Sequence, residues 1–168
     1  MSQFSITNLK AYRNTENCVT FRLATVYGPA SRMRTDLLVN NFVLRTLRDR
    51  ILVLYECEFM RNYVHIQDVC KAFKFVIENW DICVNDTFNV GNDALNMNKL
   101  ELAKVIQNHL PLEIIRAEFT SDPDTRDYIV SSEKIYKKGF ACDYDLDQGI
   151  KQLVNAYSII ESPWYANY

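Results

Sequence analysis

The chain has 168 residues, 48% hydrophobic and 24% charged, with a formal net charge of −2; this is the balance of one globular domain and excludes disorder over most of its length. So small a charge gives no global attraction to nucleic acid or an anionic membrane, no apolar run approaches the roughly 20 residues of a spanning helix, and the polar start Met1-Ser-Gln-Phe-Ser5 is not a signal peptide. The cysteines at 18, 57, 70, 83 and 142 are odd in number and lack CxxC spacing, and the two histidines form no HExxH, so reduced thiols in a cytoplasm are expected rather than a disulfide framework or a metal site.

Thr7 to Asn17 is polar with a short helical character carried by Leu9 and Tyr12. Val19 to Val26 is rich in β-branched and apolar residues and ends in the turn residues Tyr27-Gly-Pro-Ala-Ser31, which predicts a buried strand entering a loop. Asp36 to Arg48 repeats apolar residues at three- and four-residue intervals, the pattern of an amphipathic helix. Ile51 to Tyr55 and Tyr63 to Ile66 read as short strands. Gln67-Asp68 then opens a helix, Val69 to Asn79, with Asp68 at its positive end.

Thr87 to Val90 is predicted as a strand closed by Gly91, and Asn98-Lys-Leu-Glu101 as the opening of a helix running to about His109, with Pro111 just beyond. Glu113 to Glu118 fits an edge strand, and Tyr128 to Ser131 an extended segment. Ser132 to Lys138 fits a short helix with Gly139 at C′, and Asp147 to Tyr157 a last helix. Alternating strands and helices predict an α/β fold.

Two absences bear on chemistry. The four glycines, at 28, 91, 139 and 149, cannot build GxGxxG, GxxGxxG or GxxxxGK, so no glycine-rich turn brings backbone amides against a pyrophosphate. No tyrosine is followed by a lysine four residues on, and there is no GxSxG. The chain alone carries no complete catalytic constellation.

Five segments occur in a telling order: Phe21-Arg-Leu-Ala-Thr-Val-Tyr-Gly-Pro29, Arg61-Asn-Tyr-Val-His-Ile-Gln-Asp-Val69, Phe88-Asn-Val-Gly-Asn92, Asp122-Pro-Asp-Thr-Arg-Asp-Tyr128, and Ser132-Glu-Lys-Ile-Tyr-Lys-Lys-Gly-Phe140 followed by Asp147-Gln-Gly-Ile150. Together they resemble the C-terminal half of the extended short-chain dehydrogenase/reductase family, in particular its NAD-dependent nucleotide-sugar epimerases, dehydratases and decarboxylases. The resemblance runs over about residues 18 to 155. It implies the substrate-binding part of a Rossmann-type α/β fold, lacking most of the N-terminal dinucleotide-binding sheet. Members of that family are about twice as long, and their other half holds the glycine-rich NAD loop and the catalytic Tyr-x-x-x-Lys. Residues 1–17 would then be the remnant of the helix that follows that lysine, 18–160 the substrate-binding domain and 161–168 a tail.

The resemblance also implies roles. Arg61 and Arg126 match positions that hold the diphosphate of a UDP- or GDP-linked sugar; a guanidinium's planar donor fork suits phosphate oxygens. The alternative is a surface arginine paired with Glu58 or Asp127. Asn41 matches an asparagine that bonds the diphosphate or sugar, while Asn40 reads as an exposed helical residue. Tyr55, with Leu52 and Val53, matches the strand that contacts the base. Thr25 stands where the family often has a sugar-contacting asparagine.

Leu23, Ala24 and Val26 would lie near the nicotinamide, Arg32 and Arg34 at the substrate entrance. His65, Asn89 and Asn92 read as structural, and Trp164 and Tyr165 as a cap for an apolar face or a partner. NAD is the cofactor the resemblance implies, though this chain alone is not expected to hold it. Because a strand cut from the middle of a parallel sheet exposes an edge, an N-terminal-half polypeptide or self-association is expected, with no nucleic acid and no membrane. A stand-alone sugar-binding or interaction module is the alternative function.

Overall fold

The computed structural model describes residues 16–117 and 126–160. Most of the expected helix remnant, residues 118–125 and the tail with Trp164 and Tyr165 lie outside these. In chain order the elements are β1 (Val19–Leu23), β2 (Thr25–Tyr27), α1 (Leu38–Asp49), β3 (Ile51–Leu54), β4 (Met60–His65), α2 (Ile66–Glu78) and α3 (Trp80–Cys83). There follow β5 (Asp86–Val90), a 3-10 turn (Asp93–Leu95), β6 (Asn96–Asn98), α4 (Lys99–Gln107), β7 (Glu113–Arg116), α5 (Glu133–Tyr136) and α6 (Leu146–Ile159). The class is α/β, as the alternation predicts.

The expected single strand Val19–Val26 divides at Ala24. β1 pairs in parallel with β5, from Val19 opposite Asp86 to Leu23 opposite Val90. Ala24 closes that ladder by donating its N–H to Val90 O at 2.9 Å. One residue later the chain changes partner: β2 runs parallel to β4, Thr25 opposite Tyr63 and Tyr27 opposite His65. β3 and β7 form a third parallel pair, and β6 lies antiparallel to β4, Met60 opposite Asn98. Neither the change of partner nor β6, the three residues Asn96-Met-Asn98, has a local sequence signal.

Side-chain alternation along β4 separates two apolar cores. Tyr63 belongs to the first, with Val43, Leu52, Leu102, Ile106 and Leu153, under α1, α4 and α6. Val64 belongs to the second, with Val69, Ala72, Phe88, Val90 and Ile135, between the β1–β5 pair, α2 and α5. Each fully buried leucine or isoleucine contributes about 1.5–3 kcal/mol, so both cores have substance.

Helix boundaries follow their caps. Asn98 and Asp145 each accept an N–H from the residue three positions on (Glu101, 2.9 Å; Gln148, 2.7 Å), and those side chains answer the cap backbone, completing two capping boxes. Gly139, at φ 105°, ends the α5 turn as expected: Gly139 N–H meets Tyr136 O and Phe140 N–H meets Ile135 O, a Schellman motif. The opening of α2 differs from expectation. Its N-cap is His65, whose ring accepts from Gln67 N–H. Asp68 is buried in the first turn, and its carboxylate takes the N–H groups of Asp143 (2.8 Å) and Tyr144 (3.2 Å), tying the approach to α6 onto α2.

Candidate functional site

Arg61 opens the site. It lies on β4 only 2% exposed, so it is not the surface arginine of the alternative reading. Nearby, Glu58 pairs with Arg116 at 3.8 Å, and Asp127 accepts the Met60 N–H at 2.8 Å. The guanidinium donates to Met60 O at 2.9 Å and stands over the Tyr128 ring, 5.6 Å from its centroid. A cation taken this far from water is costly unless its donors and charge are matched.

Residues 126–130 are not a strand, yet side chains lace them to the sheet. Tyr128 N–H bonds Met60 O at 3.2 Å, and Val130 exchanges two bonds with the Asn96 amide, at 3.0 and 2.9 Å. This lacing brings the backbone of Arg126 to the start of β4, where Arg61 stands. Arg126 itself is exposed.

Tyr63, two residues along the same face of β4, is fully buried, and its hydroxyl has no hydrogen-bond partner among the described residues. Burial pushes its pKa up, the Arg61 charge opposing. Thr25, half-buried, is its register partner across the β2–β4 ladder. Tyr63 and Tyr128 were not singled out by sequence reasoning, although the alternation Arg61-Asn-Tyr63 places the first and third residues of that motif on one face.

On α1 the two asparagines exchange the parts assigned to them. Asn40 is the buried one. It accepts the Gly28 N–H at 3.0 Å, donates to Arg34 O at 2.9 Å, and its backbone carbonyl takes the Tyr157 hydroxyl at 3.1 Å. Asn41 is half-buried, with Nδ2 on Thr35 O at 3.1 Å. Their positions differ by one residue, about 100° around the helix.

The remaining candidates are dispersed. Val53 is half-buried on β3, and Tyr55, just past its end, is exposed and offers its carbonyl to Lys99 Nζ at 3.2 Å. Arg34 is exposed and locked in a two-pronged pair with Asp36 (2.8 and 2.6 Å), which holds the Asp36 carboxyl below its usual range. Leu23, Ala24 and Val26 cluster where β1 passes into β2, at the carboxyl end of a parallel strand, the usual ligand side of such sheets. Leu23 is exposed there. Arg32 is exposed too, while Asn89 and Asn92 bond Ser131 O and Tyr144 O and read as structural.

A dinucleotide cradle needs glycines whose missing Cβ leaves room for a pyrophosphate. Here the space beside Gly28 is filled by His65, whose Nε2 lies 2.6 Å from where a Cβ would stand, that beside Gly91 by the Asn62 side chain, and that beside Gly149 by the Tyr27 ring. Gly139 turns the chain out of α5. The glycines serve packing and turning, and the described residues do not fit NAD by themselves.

A separate cavity of about 450 Å³ is lined by Asn92, Asp93, Ala94, Tyr136, Phe140 and Cys142, and by none of the candidates other than Asn92. Burial pushes the Cys142 thiol up to about 11, so it is a protonated, unreactive neighbour at neutral pH.

Comparison with known proteins places this arrangement. In solved structures the fold is similar to UDP-glucose 4-epimerase from Thermotoga maritima, in complex with UDP-glucose, with a TM-score of 0.72 and 22% identity over 92% of this chain and 50% of that one. It is likewise similar to dTDP-glucose 4,6-dehydratase from Bacillus anthracis, in complex with NAD, with a TM-score of 0.70 and 21% identity over 96% of this chain and 50% of that one. Among curated proteins, an anthocyanidin reductase from Vitis vinifera is 32% identical over 92 residues, which is 52% of this chain and 25% of the reductase. The chain thus spans about half the length of these solved structures and a quarter of that reductase. The model of the NAD dependent epimerase/dehydratase family matches residues 4–91. The chain belongs to the NAD-dependent epimerase/dehydratase family.

Proposed function

We propose that the chain is the nucleotide-sugar-binding half of an NAD-dependent nucleotide-sugar epimerase or dehydratase. It would turn over only with a half that carries a glycine-rich loop and Tyr-x-x-x-Lys, whether from the rest of its own polypeptide or from a second one. The observation that carries this reading is Arg61: a buried guanidinium at the start of β4, stacked on Tyr128, with the Arg126 segment laced alongside. A diphosphate offers paired, negatively charged oxygens of the kind a guanidinium's planar donor fork suits.

In this reading Arg61 and Arg126 hold the diphosphate, Asn41 and Thr25 face the sugar, and Tyr55 and Val53 face a uracil or guanine base. Arg34 stands at the entrance and reaches a ligand only by releasing Asp36. Leu23, Ala24 and Val26 form the floor toward the nicotinamide. NAD, when bound across the completed fold, supplies the hydride chemistry; this chain's part is to bind and orient the sugar. Five free thiols suit a cytoplasmic location.

Titration calorimetry with UDP-glucose, dTDP-glucose and a GDP-linked sugar tests the reading. At least one binds the wild-type chain without any redox partner, and Arg126→Gln, a change at an exposed position, weakens that binding several-fold. Absence of binding to all three overturns it. A second reading, an interaction module without catalysis, is favoured by the exposed Phe73, Ile77, Trp80 and Ile82 on α2 and α3; capture of a protein partner with no sugar bound would decide for it.

A further inference from the structure

The cavity at the end of β5 lies apart from every residue assigned to the nucleotide sugar, and its volume of about 450 Å³ is that of a small-molecule pocket. Ala94, Phe140 and Ala141 line it with carbon. Tyr136 and Cys142 line it too, and both give their proton to one carbonyl: the phenol bonds Gly91 O at 2.8 Å and the thiol bonds it at 3.5 Å. With those polar atoms engaged, the two side chains extend the apolar wall.

Charge is where the wall is unbalanced. Asp93 takes the Ser132 N–H on Oδ1 at 2.7 Å and the Ser131 hydroxyl on Oδ2 at 3.2 Å, and it forms no ion pair among the described residues. Each carboxylate oxygen has room for a second donor. Behind the wall, Asp68 is fully buried, and its carboxylate meets the N–H groups of Asp143 and Tyr144 but no cation among the described residues. Burial raises the Tyr136 phenol and the Cys142 thiol; Asp93 adds to the first effect, Asp68 and Asp143 to the second, with Lys71 opposing.

That lysine is already committed. Its Nζ pairs with Asp143 at 2.6 Å and donates to Ala141 O at 2.8 Å. It also shows what this rim accepts, for the ammonium stands 5.7 Å from the centroid of the Phe140 ring. One ammonium against three carboxylates leaves a net negative field at an apolar wall. An anion is repelled there, and a neutral apolar molecule gains nothing from the field. No group of His, Cys, Asp and Glu side chains among the described residues could hold a metal ion. A protonated amine on an apolar body matches both the wall and its charge.

We propose that this cavity binds a small organic ammonium, its apolar body against Ala94, Tyr136 and Ala141 and its charged nitrogen on the Asp93 carboxylate. The site is separate from the nucleotide-sugar reading and stands whether or not a nucleotide sugar binds.

The full 168-residue chain is titrated with phenethylamine and with its uncharged counterpart phenethyl alcohol, followed by NMR shifts of the backbone amides. The amine is expected to bind about 10-fold more tightly than the alcohol, the contribution of one charge-assisted hydrogen bond, with the shifts concentrated in residues 92–95 and 136–142. Asp93→Asn keeps an acceptor for the Ser132 N–H and should remove the preference for the amine. Ala94→Trp, at an exposed lining position, should fill the cavity and abolish binding of both. Equal affinity for amine and alcohol in the wild-type chain overturns the ammonium assignment, and no binding of either, or shifts elsewhere, overturns the site. If Asp93→Asn fails to fold, Ala94→Trp decides alone: amine affinity that it leaves unchanged overturns the proposal. N-acetyl-lysine methylamide separates the sources of such a group, and tighter binding of it than of phenethylamine overturns the small molecule in favour of a partner's lysine side chain.

Discussion

At the scale of single residues, His65 concentrates the most consequence. It is buried, takes the Gln67 N–H on Nδ1 at 3.3 Å, stacks on Tyr144 at 4.3 Å and meets Tyr27 edge-on at 5.2 Å. Burial lowers its pKa below the ordinary 6.5, against the opposing Asp68 carboxylate and Gln152. The native ring therefore prefers to be neutral, while the unfolded ring takes a proton once pH falls under about 6.5. Unfolded chain then binds more protons than native, so stability falls with acid through this window and is retained above it. Urea unfolding at pH 7.5 and 5.5 should show the loss, and His65→Asn, which keeps a cap acceptor and removes the titration, should flatten the slope. Asp36, lowered by Arg34, acts only below its ordinary 3.8 and leaves this window untouched. The identity of His65 as a structural residue was readable from its place between Val64 and Ile66. Its capping bond was not, because Asp68 is the more conventional capping residue and nothing local reveals that its carboxylate is claimed by Asp143 and Tyr144.

At the scale of elements, α4 and α6 depend on their first residues. Asn98→Ala and Asp145→Ala each remove the side-chain acceptor of a capping box. Each should cost about 1 kcal/mol and lower the thermal midpoint by roughly 2–4 °C in a chain of this length, measurable by calorimetry. Asn98-x-x-Glu101 and the Gly139 stop were legible because caps and stops are local chemistry. The strand Val19–Val26 was legible as extended backbone but not as two strands, since the break at Ala24 is decided by which distant strand each half meets. Asn40 and Asn41 illustrate a finer limit. Both sit on an apolar helix, and one residue of phase decides which is buried, a difference settled by Gly28 and Arg34 carbonyl groups rather than by the helix itself. Arg61 shows the reverse: sequence marked it as a site residue through its motif, while its burial came from a lacing of residues 126–130 that has no periodicity to read.

At the scale of the whole molecule, apolar surface remains outside. Ile77 is 73% exposed and Phe73 52%, with Trp80 and Ile82 nearby in the chain and Leu23 open at the end of β1. Among the described residues β1 pairs only with β5, which leaves its other edge available to a further strand. Sedimentation velocity should show association that grows with protein concentration, and Ile77→Lys with Ile82→Lys should suppress it; a wild-type chain that stays monomeric at high concentration would refute the expectation. One last feature reaches across the whole fold. The two cores lie on opposite sides of β4, and at Ala24 the chain steps directly from one ladder to the other. That residue is the hinge pin of the architecture: one peptide unit belongs to the β1–β5 ladder, the next to β2–β4. A shift of the backbone at this corner would therefore disturb the register of both ladders.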